Sequence, residues 1–250
     1  MDDFDRRLQR AKSHLNNLNR QANKFLGGKS YSTESGRAFK RGGYALRITT
    51  HKQIPPRFGL IASDFIHNLR ALLDNLVWAA VPSSLKGSTN LTFPTVTDPE
   101  AFDEFARAVF GRRASRAFVQ ALERHQPYNR RPDDVANDRL LLLHKMWNAD
   151  KHHAPFGVMG WAVMGGAAAF GDPLGPQHFG FRVGPLGKGG EVGWVSAAGA
   201  KRGIRPRVVL DLGFKTRRPT LAVPRHAFVK MYDIVAKEVL PDLRPFTKPV

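Results

Sequence analysis

The stretch PRFGLIASDFIHNLRALLDNLVWAAV, Pro56–Val81, decides how the rest of the chain must fold. Laid out at about 100° per residue, Ile61, Ala62, Phe65, Ile66, Leu69, Leu72, Leu73, Leu76 and Val77 cover a wide apolar arc. An arc that wide needs neighbours on more than one side, so the spacing predicts a central helix. The remaining arc gathers His67, Arg70, Asp74 and Trp78, with Asp64, Asn68 and Asn75 beside them and Leu60 near the start. Arg70 and Asp74 stand four residues apart and can pair along the helix. A solvated face usually carries Lys and Glu, and this helix has neither. His, Asn, Arg and Asp suit a specific hydrogen-bond network or a site.

A second apolar helix is predicted over Val135–His152, opened by Pro132-Asp133-Asp134 and stopped by Pro155. His144, Asn148 and His152 recur at every fourth residue on it, with Asp150 and Lys151 nearby. Two His at that spacing would suit a metal, but the middle residue is Asn, a poor ligand, and no metal is expected. Lys151, His152 and His153 are also cations favoured by a helix C-terminus. That account leaves His144 and Asn148 unexplained, since polar groups inside an apolar helix must find partners.

Outward from these two helices the pattern is simple. Phe4, Leu8, Ala11, Leu15, Leu18, Ala22 and Phe25 step alternately by four and three. This predicts a helix over Asp2–Leu26 that packs along one narrow stripe. Lys29–Gly43 reads as a polar loop and Tyr44–Thr50 as a half-buried strand. Further helices are expected over Pro99–Val109 and Arg113–His125. Beyond Pro155 glycine becomes frequent and strands are expected at Phe156–Val163, His178–Val183, Glu191–Ser196, Arg207–Leu212 and Thr220–Val223, before a last helix, Pro224–Val239. The fold class is α+β: a helical bundle over residues 1–154, then an antiparallel meander and closing helix over 155–250, packed together as one unit.

Composition narrows the function. The chain has no cysteine, which excludes disulfides, thiolate metal sites and a cysteine nucleophile. No apolar run is long enough to span a bilayer, and a cytoplasmic protein without membrane contact is expected. Net charge is +18, with +8 in residues 1–53, +2 in 54–153 and +8 in 154–250. A field of that size attracts nucleic acid or another polyanion. Lys86-Gly87-Ser88 and Gly187-Lys188-Gly189 lack P-loop spacing, and no Rossmann fingerprint is present.

Taken together, His67–Leu76, Phe93-Pro94, Gln126–Tyr128 and Asn148–His153 resemble a largely uncharacterised bacterial family. Its pattern runs His-Asn-Leu-Arg-x-x-Leu-Asp-His-Leu, Phe-Pro, Gln-Pro-Tyr and Asn-x-Asp-Lys-His-Arg. That family is similar to the HEPN (higher eukaryote and prokaryote nucleotide-binding) helical domains, many of them metal-independent, dimeric ribonucleases. The resemblance implies no cofactor, RNA or a nucleotide as partner, and a homodimer. It implies catalytic roles for Arg70, His67, Asp74, Asn75 and His152, and nucleic-acid contacts from Asn148, Asp150, Lys151 and His153. Arg70 would stabilise charge on the scissile phosphate. The expected His is Asn75 here, which cannot take up a proton, so His152 or His67 would have to serve as base. The alternative is a non-enzymatic scaffold or partner-binding protein whose polar motifs are a structural network. Exposure separates the two: a site needs Arg70 open to a cleft, and a network needs it buried and satisfied.

Overall fold

The computed structural model describes residues 2–37, 43–87, 91–152, 155–165, 179–187, 189–202, 207–217 and 220–247. The central helix, α2, spans Arg57–Ala80 with Pro56 at its N-cap. It follows α1 (Asp3–Gly27) and a hairpin of β1 (Tyr31–Arg37) and β2 (Tyr44–Thr50). Asp2 caps α1 by accepting from the Asp5 amide, and Phe4, Ala11, Leu15, Leu18 and Ala22 are buried along it. That stripe packs mainly on α2, as its spacing leads one to expect, with smaller contacts to α8 and β7.

Short helices α3 (Pro99–Val109), α4 (Arg116–Arg124) and α5 (Pro127–Arg130) lead to α6 (Arg139–His152). Two helix starts lie later than the sequence predicts. The Ser115 hydroxyl accepts from the Phe118 amide, so α4 starts at Arg116 rather than Arg113. Residues Pro132–Asn137 form a 3-10 turn, and α6 starts only after Asp138. The Asp138 carboxylate, fully buried, accepts from the amides of Leu140 and Leu141 at 2.8 and 3.1 Å. A cap of that strength sets the helix start.

The strands β3 (Gly157–Gly165), β4 (Phe179–Phe181), β5 (Gly184–Pro185), β6 (Glu191–Val195), β7 (Arg207–Lys215) and β8 (Ala222–Pro224) follow, with a short α7 (Ala197–Lys201) between β6 and β7. They are antiparallel, in two sheets ordered β1-β2-β6-β4 and β5-β3-β7-β8. The predicted loop Lys29–Gly43 is corrected here, because Tyr31–Arg37 is the edge strand β1. Its sequence YSTESGR has no apolar alternation, and its backbone pairing to β2 is what makes it a strand. β2 in turn pairs with β6, so the first half of the chain contributes to a sheet completed by the second. His178, predicted to open a strand, lies outside the described residues.

The closing helix α8 (His226–Ile234) runs through a π turn, Val235–Val239, into α9 (Leu240–Leu243). One buried core joins α1, α2, α6, β7 and α8. Phe228 lies between Phe65 and Phe214, with ring centroids at 5.5 and 4.9 Å. Leu46, Ile48, Ala162, Val192, Val208 and Leu210 form a smaller core between the sheets.

Candidate functional site

The polar arc of α2 is divided between two neighbours, α6 and α1. Toward α6 it presents Ser63, His67 and Arg70, with Asp74 beside Arg70 and bonded to the Phe93 amide, and toward α1 it presents Asp64 and Asn75. Ser63 and His67 meet Asp150 while Arg70 meets His144, so α2 and α6 run antiparallel. The two polar motifs therefore come together, as the composition of the two helices leads one to expect.

Arg70 sits at the middle of this contact and is 2% exposed. Its Nη2 donates to Asp74 Oδ1 at 2.8 Å and to the Phe93 carbonyl at 2.6 Å. Nε donates to Asp74 Oδ2 at 3.3 Å, and Nη1 reaches Thr95 Oγ1 at 3.3 Å and His144 Nδ1 at 3.2 Å. The guanidinium carbon lies 5.1 Å from the centre of the Trp147 ring, a cation–π contact. Asp74 Oδ1 also accepts from the Phe93 amide at 2.9 Å, so one carboxylate and one guanidinium clamp both polar groups of the same peptide residue. Every nitrogen of Arg70 is engaged. Burial lowers its pKa, and the Asp74 charge opposes that shift.

His144 accepts on Nδ1 from Arg70 only while its ring is neutral. Burial, the Arg70 charge and Lys145 push its pKa down to about 4, which keeps it neutral near pH 7. The Asn148 amide lies 3.0 Å from its Nε2, which explains both polar residues on the inner face of α6. Gln126, fully buried, extends the same scaffold: its Oε1 accepts from the Val96 amide at 3.1 Å and its Nε2 donates to the Leu122 carbonyl at 2.9 Å. Gln126 thus holds the Phe93–Val96 segment against Arg70.

A second, shallower cluster surrounds Asp150. Its Oδ1 accepts from Ser63 Oγ at 2.7 Å and its Oδ2 lies 2.7 Å from His67 Nε2. The Asp150 side chain is 9% exposed and that of His67 45%. The carboxylate lies between the hydroxyl and the imidazole, so His67 is not placed to take the Ser63 proton. This is not the order of a nucleophilic triad.

The remaining predicted site residues lie apart. Asn75 is about 140° round the helix from Arg70. With its amide turned to match its neighbours, it accepts from Arg7 Nε at 2.8 Å and donates to the Ala71 carbonyl at 3.3 Å. Lys151 is exposed with its Nζ 4.9 Å from the Trp147 ring centre, and His152 is exposed without a hydrogen-bond partner among the described residues. His153 lies outside the described residues. Ser63, Thr95 and Trp147 were not singled out as site residues from the sequence. Ser63 stands one turn before His67, a signal that could have found it, whereas Thr95 is brought in by a loop and has no such signal.

Comparison with protein-family models, with curated proteins and with solved structures found no match to this chain. Among the described residues no group of three or more His, Asp or Glu is placed to hold a metal ion. No described helix is long and apolar enough to cross a membrane.

Proposed function

We propose that the protein is a non-catalytic binder of RNA or a related polyanion, and that its two polar motifs are an interior network fixing α2 against α6. In terms of the HEPN resemblance this is the degenerate binding form rather than the ribonuclease. The observation that carries the reading is the burial of Arg70 with every guanidinium nitrogen engaged within the protein. A phosphate would have to displace Asp74, the Phe93 carbonyl and Thr95 before it reached that cation. Asn75 supplies no proton acceptor and faces α1 instead. Binding is then left to the surface, where the net charge of +18 gives the partner class.

A fluorescence titration with labelled RNA tests the reading. We expect binding at low salt that falls by orders of magnitude toward physiological salt, as released counterions dictate, and intact RNA after long incubation. Absence of binding at low salt would refute it and leave the polar network as the scaffold of a protein with a different partner.

A further inference from the structure

Beyond its first turn, helix α1 carries an acid-free outer face. From Arg6 to Thr33 the sequence contains seven Lys and Arg and no Asp or Glu. The stripe Phe4, Leu8, Ala11, Leu15, Leu18 and Ala22 turns inward, so the opposite face presents Arg6, Arg10, Arg20 and Lys24 with Gln9 and Ser13 between them. All six are exposed. At the helix start Arg244 pairs with both Asp2 and Asp5, and Arg6 pairs with Asp3. Among the described residues Arg10 and Lys24 have no ion-pair partner. Arg20 and Lys24 are like charges four residues apart with no carboxylate paired to either among the described residues, an arrangement that destabilises an isolated helix. An ordinary solvated helix would relieve it with Glu.

A cleft lies at the C-terminal end of α1, lined there by Leu26 and Gly27. Beyond Gly27 the chain turns through Lys29, whose φ of 53° is left-handed, into the edge strand β1. The cleft, of about 650 Å³, is lined also by Lys29, Tyr31, Ser32, Glu34, Ser35 and Arg47. Its volume is in the range of small-molecule sites. Arg47 is shared with Glu191 at 3.7 Å, and Lys29 has no ion pair among the described residues.

We infer that single-stranded nucleic acid docks on this surface, with phosphates along the outer face of α1 and one nucleotide in the cleft, its base against Tyr31. From Arg6 to Lys24 the track is about 27 Å long, enough for several nucleotides. A cationic track ending at an aromatic ring is how strands are bound without sequence preference. A duplex, with its bases stacked inside, offers nothing to a cleft of this size. The inference rests on the polyanion-binding reading and locates its surface.

The test is a titration at low salt with a fluorescein-labelled single-stranded RNA of about 12 nucleotides. DNA of the same length, an RNA duplex and polyglutamate are the comparison probes. Arg10→Glu/Lys24→Glu should weaken single-strand binding more than ten-fold and lower the salt slope by about 1.4, the value for two lost phosphate contacts. The same charge change at Arg112 and Arg116 should have a several-fold smaller effect. Tyr31→Ala should cost about ten-fold and Tyr31→Phe little, because the ring does the stacking. Circular dichroism confirms that each variant is folded. Equal losses for the two charge-reversal pairs, preference for the duplex, or equally tight polyglutamate binding would each overturn the inference while leaving wild-type binding intact. A wild-type protein that binds none of the probes would instead refute the functional reading itself.

Discussion

Replacing Arg70 with Ala separates a structural network from a catalytic site more sharply than any other change. The substitution removes a guanidinium that is 2% exposed. It strands Asp74, whose side chain is 23% exposed, and takes a donor from the Phe93 carbonyl, Thr95 and His144. Breaking a fully buried pair costs about 3–5 kcal/mol. Partial solvation of Asp74 screens the orphaned charge, which lowers the expectation to about 3 kcal/mol. For a chain of this length each kcal/mol moves Tm by about 2–4 °C, so a fall of roughly 6–12 °C is expected. Urea unfolding followed by circular dichroism measures the free energy, and a thermal melt the Tm. Arg70→Lys should also destabilise, because an ammonium keeps the charge but cannot reach Asp74, Phe93 and Thr95 from one plane. Pairing Arg70→Ala with Asp74→Ala should return part of the loss, since both partners are then absent. A Tm within about 2 °C of wild type for Arg70→Ala would mean a change of less than about 1 kcal/mol, and the network reading would fall.

Three further outcomes follow from the same geometry. His144 has its folded-state pKa pushed down to about 4, so between there and the ordinary value near 6.5 the unfolded chain binds the extra proton. Its contribution is present above pH 6.5 and lost as pH falls toward 4; urea midpoints across that window should rise with pH, with a shallower slope in His144→Gln. Asp150→Ala leaves the buried Ser63 hydroxyl without its acceptor and should cost about 1–3 kcal/mol, whereas the double change Ser63→Ala/Asp150→Ala should cost less than the sum of the single changes; additive losses would show that the two residues do not act together. Asn75→His supplies the residue that a HEPN ribonuclease pattern expects, yet the position faces Arg7 on α1, so no RNA cleavage should appear on a denaturing gel; new cleavage would overturn the non-catalytic reading.

What the sequence determined by itself was the local chemistry. Helix periodicity placed α1 and α2 to within a residue or two, because apolar residues at helical spacing have one way to be buried together. The caps Ser115 and Asp138 were not legible in the same way, and α4 and α6 start later than periodicity places them. The sequence also marked the α2 face as unusual, since Arg70, Asp74 and His67 stand where Lys and Glu usually would, but left open whether that face was solvated. Tertiary structure decided the rest. Whether Arg70 faced solvent or a sealed network depended on Phe93, Thr95 and His144, which lie 23, 25 and 74 residues away. β1 carries no apolar alternation and exists because β2 offers it a hydrogen-bonding edge. The strand pairings and the Arg70 clamp are long-range choices, fixed by which polar groups could be satisfied together inside one core.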